Sequence, residues 1–74
     1  MKEEAQLALR DRLASLRAQK GLTLDQLALE AGVSRRTVAG IAAGHVVGSL
    51  ETWLRIGQAL EVSYDELLGG ILTD

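Results

Sequence analysis

Two adjacent arginines, Arg35 and Arg36, are the side chains here best suited to recognition chemistry. A guanidinium holds its donors in a rigid fork. That fork can pair with two acceptors at once, such as the O6 and N7 of guanine or two phosphate oxygens. The plain alternative is a solvated arginine pair on a helix surface. Little else in the chain offers chemistry. His45 is the only histidine and there is no cysteine. Neither a phosphate-cradling glycine loop nor a paired-histidine ligand set occurs. Asp65 and Glu66 fall at a helix start, where carboxylates ordinarily offset the helix dipole. The residues therefore predict no enzyme, no metal and no cofactor.

The arginines lie within Thr23 to Gly44, TLDQLALEAGVSRRTVAGIAAG. Leu24, Leu27 and Ala28 repeat at helical spacing before Ala31-Gly32-Val33, and Val38, Ile41 and Ala42 repeat after it. Gly32 can take up a left-handed conformation and stop the first helix sharply. Ser34 offers its hydroxyl to the free amides that open the second. Two short helices joined across such a glycine turn make a helix-turn-helix. Its second helix, expected over 34–43, faces inward through Val38, Ile41 and Ala42. Arg35, Arg36, Thr37, Ala39 and Gly40 remain on the outer and leading surfaces.

The rest of the chain supplies packing partners. Residues 3–19 read as a first helix, with Glu3 and Glu4 at the start and Arg17 and Lys20 at the end, as the dipole favours. Leu9, Leu13 and Leu16 form its inward stripe, extended by Ala5. Leu7 lies off that stripe, either as an ordinary exposed leucine or as a contact with a second subunit. Arg10, Arg12, Arg17 and Lys20 read mostly as a solvated face. Thr23 with Gln26, and Ser63 with Glu66, are capping boxes for the second and fifth helices; Ser49 caps the fourth with half a box. In the fourth helix Leu50, Trp53, Leu54, Gly57 and Leu60 form the expected stripe, with Ile56 beside it. Val46 and Val47 are unusual loop residues that either tuck into the core or touch another chain. Ile71 and Leu72 form a tail that is either frayed or docked on a partner.

At 74 residues the chain is expected to form a single domain, 1–74, near the lower limit for an unstapled core. With no phenylalanine, one tyrosine and one tryptophan, that core must be aliphatic. The absence of proline and the wealth of Ala, Leu, Glu and Arg favour helix over sheet. No apolar run approaches the ~20 residues of a membrane span. Met1-Lys2-Glu3-Glu4 lacks the apolar core of a signal peptide, so a cytoplasmic protein is expected. The formal net charge of −2 is low for a nucleic-acid binder. It is unevenly spread: residues 1–20 carry five Lys or Arg against three acids, and residues 48–74 one against five.

The whole pattern resembles the Cro/CI-type (xenobiotic-response-element) helix-turn-helix family of bacterial and phage repressors. Gly21, Leu27-Ala28, Gly32-Val33-Ser34, Val38, Gly44, Leu50 and Ala59-Leu60 recur together at the family's spacing. The resemblance covers residues 13–68, with the motif at 23–43. It implies an all-α fold, a compact bundle of five helices. It also implies a sequence-specific transcriptional regulator, expected to be a repressor, that binds double-stranded DNA as a homodimer. Arg35, Arg36, Ala39 and Gly40 fall on the family's base-reading positions, Ala39 suited to a thymine methyl and Gly40 to close approach. Thr23, Gln26, Ser34, Thr37, His45 and Arg17 are the expected phosphate contacts. Leu24 stands where the family commonly has a phosphate-binding glutamine, and the loop at His45 lacks the usual cations. These departures favour an alternative, a protein-interaction module on the same fold with weak or no DNA binding. A protein partner would then be met through Val46, Val47, Trp53, Ile71 and Leu72.

Overall fold

The computed structural model describes residues 2–71 and contains five α-helices. They are α1 (Lys2–Lys20), α2 (Leu24–Ala31), α3 (Arg35–Ala42), α4 (Leu50–Leu60) and α5 (Tyr64–Leu68). The expected boundaries hold to within a residue or so, because the stop and start signals are local. The Thr23 hydroxyl accepts the Gln26 amide at 3.1 Å while the Gln26 side chain accepts the Thr23 amide at 2.8 Å. Ser63 and Glu66 repeat this reciprocal cap on α5. Ser49 caps α4 by accepting from the Thr52 amide alone, the half box that the residues implied.

Long α1 lies along α3 and α5, and α2 packs between α3 and α4. The core is assembled from one apolar stripe per helix. Leu9, Leu13 and Leu16 come from α1; Leu27, Ala28 and Ala31 from α2; Val38 and Ile41 from α3; Leu67 from α5. Among the described residues no polar or charged residue is buried as a whole, and the one buried side-chain polar atom left without a partner is Arg17 Nε. The α4 stripe differs from expectation. It is centred on Trp53, Ile56, Gly57 and Leu60, while Leu50 is 69% and Leu54 39% exposed. Turning α4 toward Ile56 carries Leu54 to the edge of the buried face and Leu50 into solvent. Gly57 is small because Leu67 of α5 lies where its side chain would be, 3.1 Å from an added Cβ.

The candidates for contact with another protein are redistributed. Trp53 is only 3% exposed and belongs to the core, so it is not a partner contact. Val47 and Ile71 pack against that core, leaving Val46 partly exposed. Leu72 lies outside the described residues. Leu7 is exposed on α1, with one methyl group over Gly44.

Arg12 is a larger departure, because it is half-buried and tied to α5. Its guanidinium crosses to α5 and donates to the carbonyls of Glu66 at 2.9 Å, Leu67 at 3.4 Å and Gly69 at 2.9 Å. These carbonyls close a five-residue helix that is too short to be stable alone. A cation there meets both the unpaired oxygens and the negative end of the dipole. Arg12→Ala should therefore cost about 1–3 kcal/mol. Hydrogen exchange should show it as early loss of protection at the Leu67, Gly69 and Ile71 amides, with α2 and α3 less affected. Equal loss in every helix would mean that Arg12 does not act locally on α5.

The turn after α4 carries a different tension. Glu61 is the one positive-φ residue other than glycine among those described, at φ 59° and ψ 44°. A side chain in this left-handed region costs roughly 1–2 kcal/mol. Its exposed ion pair with Lys20, 3.0 Å, returns at most a fraction of that. Glu61→Gly should raise stability by about 0.5–1 kcal/mol and the melting temperature by roughly 2–8 °C. A lower melting temperature would show that the Lys20 pair outweighs the backbone.

Candidate nucleic-acid interface

The α2–α3 turn is built from backbone bonds. Gly32 sits at φ 71°, ψ 30°; its amide donates to Ala28 and Leu29, and the Val33 amide donates to Ala28 at 3.1 Å. These bonds satisfy the carbonyls left over at the end of α2. The chain then reverses into Ser34, whose hydroxyl accepts the Thr37 amide at 3.1 Å and donates to the Thr37 hydroxyl at 2.8 Å. Helix α3 thus begins at a fixed point. Burial of Val38 and Ile41, both at zero exposure, fixes its rotation.

That rotation decides what α3 shows to solvent. Arg35 and Arg36 are exposed in its first turn, Thr37, Ala39 and Gly40 are half-buried, and Ser34 is exposed ahead of them. Thr23 and Gln26 are exposed at the start of α2. With Gln26 Oε1 engaged by the cap, its Nε2 remains available as a donor. The Thr37 hydroxyl oxygen already accepts from Ser34, so its own hydrogen can be given to an acceptor outside the chain.

The two arginines are not equivalent. Arg35 Nε pairs with Asp25 Oδ1 across the turn, and both side chains are largely exposed, 63% and 72%. An ion pair in that setting is worth about 0–1 kcal/mol and is screened by salt. Arg36 makes no hydrogen bond or ion pair among the described residues. The other described cations are engaged: Arg10 with Asp11, Lys20 with Glu61, Arg55 with Glu51, Arg12 with α5, and Arg17 with the Leu22 carbonyl at 2.8 Å. Arg17 accordingly braces the α1–α2 turn. Its Nε is buried without a partner.

The loop after α3 is held as firmly as the turn before it. The His45 amide donates to Gly40 at 2.9 Å, the Gln6 side chain donates to the His45 carbonyl at 3.2 Å, and the Trp53 indole donates to the Val47 carbonyl at 2.6 Å. Gly48 sits at φ +89° with Ile41 only 2.8 Å from an added Cβ, so a side chain there would collide with the core. The His45 side chain is exposed on this anchored loop. Gly40 has an intramolecular role that the sequence did not suggest. A Cβ there would lie 3.1 Å from Val46, so the glycine makes room for the loop as well as for any ligand. Asp25 also went unnoticed, because its pairing with Arg35 spans the turn and follows no helical period.

Comparison with known proteins agrees with this geometry. A family model described as helix-turn-helix matches residues 13–67. The chain is 34% identical over 68 residues to the cryptic phage CTXphi transcriptional repressor RstR of Vibrio cholerae serotype O1. The aligned region covers 92% of this chain and 61% of that repressor, so the chain spans about three fifths of its relative's length. No solved structure matches. Among the described residues no helix is long and apolar enough to cross a membrane. With α2 and α3 capped and held at the glycine turn inside the matched stretch, the chain belongs to the Cro/CI-type helix-turn-helix family of DNA-binding regulators.

Proposed function

We propose that this chain is a cytoplasmic, sequence-specific transcriptional repressor that lays α3 in the major groove. The observation that carries this reading is Arg36, exposed in the first turn of α3 and without an intramolecular partner among the described residues. Recognition helices present base-reading side chains from that end. Arg36 and Arg35 read guanine edges, and Ala39 meets a thymine methyl. Gly40 keeps α3 free of a side chain that would push Val46 and the loop away. Thr23, Gln26 through Nε2, Thr37 and His45 hold phosphates along the flanks, while Ser34, whose hydroxyl hydrogen is given to Thr37, positions the Thr37 donor. Arg17 supports the turn that carries Thr23 and does not reach DNA directly.

A module of this size reads only a few base pairs. A homodimer doubles the site, with half-sites about one turn apart, ~34–36 Å. The acids Glu51, Glu61, Asp65 and Glu66 lie on α4, α5 and the turn between them, outside the helix-turn-helix. Most cations are committed internally, so random DNA is bound weakly and discrimination rests on few contacts. A single observation favours the adaptor reading: Leu29 on α2 is 82% exposed and Leu50 on α4 69%. Undetectable binding to mixed-sequence DNA at low salt would support it.

Oligonucleotides selected from a random pool supply the site for the main test. Arg36→Ala should reduce the preference for that site over mixed DNA about ten-fold or more, the worth of one bidentate contact at ~1–3 kcal/mol. Thr37→Val removes a phosphate donor and should weaken both DNAs alike. Full retention of preference in Arg36→Ala would remove α3 from the role of reader.

A further inference from the structure

We infer that Asp25 is a specificity-determining residue that works through Arg35, an inference resting on the DNA-binding reading above. Asp25 lies in the first turn of α2, and its carboxylate faces across the glycine turn to the first residue of α3. It takes the Arg35 Nε, leaving the terminal NH1 and NH2 groups as the donors open to a ligand. That end of the fork still matches the O6 and N7 of a guanine. The contact therefore aims Arg35 without consuming its recognition edge.

The same carboxylate alters binding to random DNA. A free guanidinium is drawn to any phosphate, and each such contact tightens binding to all sequences equally. Paired with Asp25, Arg35 presents almost no net charge to the backbone, and the carboxylate itself repels phosphate. A guanine in register offers Arg35 directional acceptors that a phosphate at another angle does not, so Arg35 commits at the cognate base pair. Both side chains are mostly exposed, so the pair is weak enough to adjust on docking. Arg36 has no comparable restraint among the described residues, so beside its own base contact it adds most of the sequence-independent attraction. Both arginines read bases, and only Arg35 is shielded from random phosphates by a carboxylate.

Binding of the selected site and of mixed-sequence DNA is measured by fluorescence anisotropy from about 50 to 200 mM salt. The proteins are wild type, Asp25→Asn, Arg35→Ala and the double variant. Circular dichroism confirms that each is folded, as expected for substitutions at exposed positions. Asp25→Asn should tighten mixed-DNA binding and steepen its salt slope by about one. The ratio of selected-site to mixed-DNA affinity should fall about five- to ten-fold. In the Arg35→Ala background, Asp25→Asn should change both affinities equally and leave the ratio alone. If wild type is selective and Asp25→Asn keeps the full ratio, the inference about Asp25 is overturned while the regulator reading stands. A ratio that falls as much in the Arg35→Ala background also overturns it, since Asp25 would then act without Arg35. If wild type binds both DNAs equally, the regulator reading fails and this inference goes with it.

Discussion

The seating of α3 by Val38 and Ile41 governs this molecule. Both side chains are fully buried, and between them they leave an eight-residue helix one allowed rotation. A helix of that length has little stability of its own. Its direction is set by contact with α1 and α2 and by the cap at Ser34. Everything offered to a ligand follows from that orientation. A slip of one residue would bury Thr37 or Ala39 and swing the arginines off the leading edge.

Around this seat the polar groups of the chain are spent mainly on itself. Arg12 closes α5, Arg17 braces a turn, and Lys20 and Arg55 answer acids on their own scaffold. The low net charge therefore understates how little free cationic surface there is. A regulator so constituted relies on placement more than on attraction. Placement requires rigidity, and the anchored loop from Gly44 to Ser49 and the glycine turn at Gly32 supply it on both sides of α3.

Much of the fold was legible in the residues because its punctuation is local. Thr23 with Gln26, Ser63 with Glu66, and Gly32 ahead of Ser34 state helix limits within four residues of chain. The inward faces of α1, α2 and α3 follow from simple periodicity. On α4 periodicity alone could not choose between Leu50 with Leu54 and Ile56, since all three are aliphatic and the choice depends on how α4 packs on α2 and α1. The contacts of Arg12 join residues more than fifty positions apart, so no local rule reveals them. For the interface, the position of the arginines was legible and the inequality between them was not. Only the folded turn brings Asp25 to Arg35 and Val46 to Gly40.

The indole of Trp53 is buried in the core, yet its nitrogen holds the carbonyl of Val47 in the loop beside α3. Because the chain has one tryptophan, its indole fluorescence comes from a single place. Emission from that ring senses two events separately. Release of the loop would break the indole bond and uncover the ring edge beside Gly48, whereas unfolding would expose the whole ring to water. The protein thus contains an intrinsic optical probe beside its recognition helix, readable without any attached dye.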